Sequence, residues 1–167
     1  LPRKALLDIK GKTLIHRCYE SVRSSGFEPY MATPSKEIID EVNSFGGRAI
    51  KTGYWPRNGT ERVAEAVTKL GLPDDYVVVN CQSDMFGWQN PDFLIRPIEA
   101  LKLTSSPRVT TVYNPNYSET DLHCFNSVKV LTKNGQIDFS RELRDGWNVL
   151  GIHFGVYVAF KWMFDQY

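Results

Sequence analysis

The chain has 167 residues, enough for one domain with a substantial core. Hydrophobic residues make up 42% and charged residues 23%, a globular rather than a disordered composition. Lys and Arg (20) against Asp and Glu (19) leave a net charge of +1, which excludes a wholesale electrostatic grip on nucleic acid or an anionic membrane. The longest apolar runs, such as Val77-Val78-Val79, are far too short to cross a bilayer.

In chain order the pattern alternates helix and strand, without repeat or linker. Thr13 to Ser25 places Leu14, Ile15, Cys18, Tyr19 and Val22 on one helical face, and Gly26 stops it. Pro29 to Thr33 reads as a short strand. Ser35 then caps a helix carrying Ile38, Ile39, Val42 and Phe45, ended by Gly46-Gly47. Arg48 to Lys51 is a strand leading into the loop Thr52 to Asn58. The next helix carries Val63, Ala64, Val67 and Leu70 and ends at Gly71. Tyr76 to Cys81 is continuously apolar up to Asn80, as strands covered on both faces are. Asn90-Pro91 predicts a helix start, with Asn90 the cap, running towards Leu103, and Pro97 predicts a kink or an early end. Arg108 to Tyr113 and Ser127 to Leu131 read as strands, with Lys133-Asn134-Gly135 a turn after the second, and Ile152 to Phe160 is the last strand. The first hundred residues predict a three-layer α/β fold with a mostly parallel sheet, and the strand-rich second half predicts an antiparallel excursion.

Three cysteines, Cys18, Cys81 and Cys124, are odd in number, widely spaced and free of CxxC. They predict buried thiols in a reducing, cytoplasmic setting rather than a disulfide framework or a zinc site. The chain opens on Leu1-Pro2-Arg3-Lys4 without an initiator Met and closes on Phe164-Asp165-Gln166-Tyr167, so it is expected to be a piece of a longer sequence.

In open α/β sheets ligands bind beyond the carboxyl ends of strands, which directs attention to Asn80-Cys81-Gln82-Ser83-Asp84. Asp84 suits Mg²⁺ and, through it, nucleotide phosphates, or else caps the next segment. Asn58-Gly59-Thr60-Glu61-Arg62 opens a helix whose free N–H groups would accept an anion. Asn58 with Glu61 three residues on reads equally as a capping box that serves only the helix. Arg3 and Lys4 are paired cations near a helix start, able to neutralise phosphates or simply to stay solvated. Strand alternation puts His153, Gly155 and Tyr157 on one face, where His and Tyr would recognise a polyol or serve the core. Arg141 carries a guanidinium fork that matches a carboxylate. His16 falls in a helix and His123 in a loop, and no Ser-His-Asp order, Walker loop or zinc spacing is present.

These segments together resemble the 3-deoxy-manno-octulosonate (KDO) cytidylyltransferase family, the CMP-KDO synthetases. Leu1-Pro2-Arg3-Lys4-Ala5-Leu6 with Gly11-Lys12-Thr13-Leu14-Ile15 is similar to its LPxKPL…GKPMI stretch. Met31-Ala32-Thr33, Phe45-Gly46-Gly47, Asn58 to Arg62 and Val79 to Asp84 follow in the family's order. Asn126 to Val130, Phe139-Ser140-Arg141 and His153 to Tyr157 complete the series. The resemblance implies a Rossmann-like nucleotidyltransferase fold in a single domain, 1–167, with a nucleotide-binding half (1–105) and a sugar-binding and dimerisation half (106–167). It implies Mg²⁺-dependent transfer of CMP from CTP to the anomeric hydroxyl of KDO, with release of pyrophosphate. Another acid sugar such as sialic acid, or a non-catalytic nucleotide-binding homologue, is the alternative. Carried over by position, Lys4 would act on the triphosphate and Asp84 would hold Mg²⁺. Asn58, Gly59 and Thr60 would line the nucleotide pocket, and Gln82 would lie by the base or the sugar. Arg141, His153 and Tyr157 would meet the sugar acid. A homodimer is implied as well, with Trp147, Trp162 and Phe164 the sequence's own exposed-aromatic hints; no nucleic acid or membrane partner is expected. Pro34 stands where the family has Asp, Met85 and Phe86 where it has Glu and Pro, and Asn58 where it has Ser.

Overall fold

The computed structural model describes residues 3–88, 90–103 and 109–166. The expectations placed on Leu1, Pro2, Arg108, Tyr167 and the division between 105 and 106 lie outside these. A 3-10 turn, Lys4–Leu6, leads into a small antiparallel pair, β1 (Asp8–Ile9) with β2 (Lys12–Thr13). Helix α1 (Leu14–Ser24) follows at once, and the Thr13 hydroxyl accepts from the His16 amide as its cap. Strand β3 (Met31–Thr33) and β4 (Ala49–Lys51) flank α2 (Lys36–Ser44), and they pair in parallel, as strands joined by a crossover helix do. Helix α3 (Gly59–Leu70) ends at Gly71, whose positive φ of 62° closes the last turn without the steric cost a side chain would bring.

The remaining strands form a five-stranded sheet. Strand β9 (Asn148–Phe160, 13 residues) is its axis. On one edge it pairs with β5 (Val77–Cys81) through 156–160 and with β7 (Lys129–Lys133) through 148–152. On the other it pairs with β6 (Thr110–Asn114), and β8 (Gln136–Ser140) closes the sheet beside β7. Every one of these ladders is antiparallel, so among the described residues parallel pairing is confined to β3–β4. Helical alternation predicts parallel neighbours. Here one long strand, returning from the second half of the chain, inserts beside β5 and reverses the pairing; the mixed α/β class holds.

Layering follows from strand alternation. On β5, Val78 packs with Ala64 and Val67 of α3, with Ala159 of β9 and with Phe164. Val77 and Val79 face Leu94 and Leu101 of α4 (Asp92–Lys102). On β9, Phe154, Val156 and Val158 point to the α4 side, so His153, Gly155, Tyr157 and Ala159 point to the α3 side. A third cluster, Ile15, Tyr19 and Val42, joins α1 to α2.

Local departures from expectation have physical causes. Helix α4 begins at Asp92, with Asn90 Oδ1 accepting from its amide at 2.9 Å, and it runs through Pro97 without ending. Pro97 is buried, and its carbonyl takes the Thr110 hydroxyl at 2.6 Å. His123 belongs to a short helix, α5 (Glu119–His123), not to a loop. Its signal is the Ser118-x-x-Asp121 capping box, which needs no apolar period. A last short helix, α6 (Lys161–Phe164), buries Phe164 in the core, and Trp147 and Trp162 are half-buried, so none of the three is an exposed aromatic. Of the cysteines, only Cys18 is fully buried; Cys81 and Cys124 are half-buried, and all three are free thiols.

Candidate functional site

The ends of two distant segments meet beyond β5. Lys4, in the first turn of the chain, places Nζ 2.5 Å from Oδ2 of Asp84, across 80 positions of sequence. Asp84 sits in the turn that follows β5, closed by the Met85 amide on the Gln82 carbonyl at 3.0 Å. Both side chains retain solvent access, so the pair is available to a ligand and contributes little stability. The carboxylate holds the turn's negative charge where a cation already rests on it.

Gln82 links this pair to β9. Its amide donates to the Gly155 carbonyl at 2.9 Å, which extends the β5–β9 ladder by one bond. Its side chain lies across Gly155: a Cβ there would stand 2.4 Å from Gln82 Cδ and Oε1. Glycine at 155 is what lets the exposed Gln82 side chain lie here, and a larger residue would push it aside. On either side along the same face, the rings of His153 and Tyr157 are 5.0 Å apart. Phe139 of β8 meets His153 edge-on, also at 5.0 Å. The expected shared face of His153, Gly155 and Tyr157 is thus observed, with Gln82 laid over its middle.

Burial sets the protonation of the two rings. It pulls the His153 imidazole below its usual range and pushes the Tyr157 phenol above its own, so both are neutral near pH 7. Beneath the turn, the Cys81 thiol is pushed well up by its hydrogen bond with the Cys18 thiol and by burial, which makes it inert. Cys18 Sγ lies 3.5 Å from the Gln82 carbonyl and packs under the turn.

Arg141 follows β8, and its guanidinium turns back on the segment before β7. Nη1 donates to the carbonyls of Phe125 and Asn126, each at 3.1 Å, and the group lies 5.8 Å over the Phe125 ring. Nε and Nη2 have no hydrogen bond among the described residues. The same segment reaches His153 through its amide, which donates to the Val128 carbonyl at 2.8 Å. Sequence reasoning missed Lys129. Only 1% exposed, it donates to the carbonyls of Cys124 (2.7 Å), Ser127 (3.0 Å) and Arg141 (2.7 Å), and so ties the Arg141 backbone to the 124–127 turn. A lysine inside a strand carries no sequence signal of this kind, because its three acceptors come from turns on either side.

Asn58, Gly59 and Thr60 stand at the N-terminus of α3, after the loop that leaves β4. Asn58 Oδ1 accepts from the Glu61 amide at 2.9 Å, as the cap reading requires. The Glu61 carboxylate, buried, does not return to the Asn58 backbone amide, though it accepts from Asn58 Nδ2 at 3.3 Å. It takes the Arg57 amide at 2.8 Å and the Arg57 guanidinium at 2.9 Å, and these bonds hold it well below the usual carboxylate range. The box is thus displaced by one residue. Asn58 is committed to the helix, while nothing within 4 Å opposes the open side of Gly59. Arg62 fixes this corner, donating to Thr52 Oγ1 at 2.8 Å, and the Thr52 amide donates to the Thr33 carbonyl at the end of β3.

Asp84 is a single carboxylate, and among the described residues no group of three His, Cys, Asp or Glu stands ready for a metal ion. One carboxylate completed by phosphate oxygens and water is the habit of Mg²⁺, and the ammonium of Lys4 already stands in for a cation on Asp84. The donor set fits Mg²⁺ carried in with a nucleotide and does not fit a closed metal cage. Two clefts, of about 450 and 780 Å³, lie elsewhere. They are lined from the α4 side by residues such as Trp88, Phe93 and Val112, and neither contains Lys4, Gln82, Asp84 or His153. Among the described residues no helix is long and apolar enough to cross a membrane.

Comparison with known proteins gives three results. A family model described as cytidylyltransferase matches residues 1–144. Among curated proteins, the chain is 42% identical over 126 residues to a 3-deoxy-manno-octulosonate cytidylyltransferase of Francisella tularensis subsp. novicida, covering 70% of the chain and 50% of that protein. It is 39% identical over 132 residues to the enzyme of that name from Syntrophus aciditrophicus, covering 77% and 52%. The chain thus spans about half the length of the curated relatives it matches. Among solved structures it resembles CMP:2-keto-3-deoxy-manno-octonic acid synthetase complexed with CTP, with a TM-score of 0.79 at 26% identity, over 100% of this chain and 71% of that one. A 4-diphosphocytidyl-2C-methyl-D-erythritol synthase from Anaerococcus prevotii shares the fold, with a TM-score of 0.53 at 13% identity, over 98% of this chain and 70% of that one.

Proposed function

The chain belongs to the cytidylyltransferase family, and from that premise we propose that it carries the catalytic core of an enzyme joining CMP to KDO. The observation that carries the reading is the contact of Lys4 with Asp84 beyond β5, beside Gln82 and the His153–Tyr157 face. In the reaction the anomeric hydroxyl of the sugar attacks the α-phosphorus of CTP. A new P–O bond forms, the bond to pyrophosphate breaks, and the hydroxyl proton leaves to solvent.

This chain's residues bind, orient and balance charge, which is most of what such a transfer requires. Lys4 exchanges its contact with Asp84 for the triphosphate and follows the negative charge that moves onto pyrophosphate. Asp84, thereby freed, would hold Mg²⁺, whose charge would ease attack at the reacting phosphorus. The N–H groups of Gly59 and Thr60 at the start of α3 donate to the nucleotide, and Asn58 shapes that corner through its cap. Gln82 sits between nucleotide and sugar. Arg141 offers Nε and Nη2 to the sugar carboxylate, with His153 and Tyr157 on its hydroxyls.

Two copies would pair through the edge of the sheet, where Ile137 of β8 is 63% exposed and Phe139 and Leu143 are also uncovered. Three free thiols suit a reducing cytoplasm.

The test is pyrophosphate release with CTP and KDO, with and without Mg²⁺, and with UTP, ATP, GTP and sialic acid as alternative substrates. Release with CTP and KDO that requires Mg²⁺, and that falls at least about 10²-fold in Asp84→Asn, supports the assignment. An unchanged rate in Asp84→Asn removes the metal role. Saturable CTP binding without turnover identifies a nucleotide-binding module, and neither binding nor turnover overturns the reading.

A further inference from the structure

The ladder between β6 and β9 breaks at one place. Thr111 pairs with Tyr157, but the next residue, Val112, pairs with Phe154, so Gly155 and Val156 have no partner on that edge. A bulge of this kind frees a carbonyl and re-aims a neighbouring side chain. Here the Thr111 hydroxyl takes both roles. Its Oγ1 lies 2.6 Å from the Val156 carbonyl oxygen and 2.7 Å from His153 Nε2.

These two distances fix the protons. A threonine hydroxyl has one hydrogen to donate, and a carbonyl oxygen can only accept. If that hydrogen pointed at the imidazole, two oxygen lone pairs would face each other at 2.6 Å. It therefore lies between Thr111 and Val156, and the Thr111 oxygen accepts from the ring. His153 must then carry its hydrogen on Nε2, which leaves Nδ1 as a bare acceptor. Phe139, edge-on to the ring, and Tyr157, tilted against it, provide no charge to shift this balance.

We propose that Thr111 is a positioning residue that holds His153 in the Nε2–H form, so that Nδ1 receives a hydroxyl hydrogen from the sugar and rejects its carboxylate. The inference rests on the proposed function for the identity of the ligand, but not for the state of the ring. An acceptor-only nitrogen repels a carboxylate oxygen and matches an alcohol. Of the two sugar-side groups, His153 thus selects the hydroxyl pattern, and the acid is left to Arg141.

The state of the ring is read first, by long-range ¹H–¹⁵N correlation of the histidine side chains in the whole chain at neutral pH, without CTP or sugar. Wild-type protein should show His153 protonated at Nε2 alone. Thr111→Val, equal in shape but without the hydroxyl, should give the mixed tautomers of a free imidazole, and Thr111→Ser should restore the wild-type pattern. Wild-type His153 protonated at Nδ1, or a spectrum unchanged in Thr111→Val, overturns the proposal. If Thr111→Val does not fold, the wild-type spectrum and Thr111→Ser still decide it. In a second arm, the Kd for KDO should rise about 3- to 10-fold in Thr111→Val and the Kd for CTP should change less than about 2-fold. Equal changes in both overturn the assigned specificity. A fixed Nε2–H tautomer in a protein that binds neither ligand overturns the functional assignment and the sugar role, while Thr111's hold on His153 stands.

Discussion

Replacing Lys129 by methionine isolates a buried charge whose role is geometric. The ammonium has three hydrogens and the structure gives it three carbonyl acceptors, at 2.7, 3.0 and 2.7 Å, in a site that leaves the residue 1% exposed. Methionine keeps most of the stem's volume and removes every donor. The Cys124 carbonyl retains the Ser127 amide at 3.1 Å, but the carbonyls of Ser127 and Arg141 lose their partner. Each unsatisfied acceptor costs about 1–3 kcal/mol, and relief of the ammonium's own desolvation offsets part of the sum. The net loss expected is about 2–4 kcal/mol. At roughly 2–4 °C per kcal/mol for a chain of this size, Tm falls by about 4–16 °C. Thermal and urea denaturation followed by circular dichroism measure it, and Lys129→Gln, with two donors left, should fall between. A loss under about 0.5 kcal/mol in Lys129→Met would refute the reasoning, because it would mean that water replaces the ammonium at all three carbonyls without cost.

Gly155→Ala places a methyl group 2.4 Å from the Gln82 side chain, so Gln82 must leave its seat. Because Gln82 is exposed and its end can swing aside, stability should change by no more than about 0.5 kcal/mol, while calorimetric titration should show weaker binding of CTP, KDO or both. Asn58→Ala removes the cap on the Glu61 amide and should lower stability by about 1 kcal/mol in the same melts. The pH profile of stability should carry the mark of His153. Its folded pKa lies below the unfolded value of 6.5, so its contribution is complete above 6.5 and is lost as pH falls through the folded value. Tm should therefore decline from pH 7.5 to 5.5, and His153→Gln should decline less steeply over that window; parallel profiles would contradict it.

The sequence by itself determined the elements whose signals are local. The helix with Leu14, Ile15, Cys18 and Tyr19 on one face, the one ending at Gly71 and the apolar strand at Val77 all form where their periods and caps require, within a residue or two. The motif order also identified the family, because motifs are read along the chain. Only the tertiary structure decided the rest. A strand's period says which face is buried but not which strand will lie beside it, so β9 could be seen from Ile152 onward while its antiparallel neighbours could not. Nor does a lone charge announce its partner: Lys4 was legible as a cation for phosphate or solvent but not as the partner of Asp84, and nothing marked Lys129 as enclosed by three carbonyls. Thr111 is the sharpest instance. In sequence it is a β-branched residue in a strand, and it acquires its function from a two-residue register shift in the strand beside it. Such contacts depend on where chain segments far apart in sequence come to rest, and a local pattern cannot encode that.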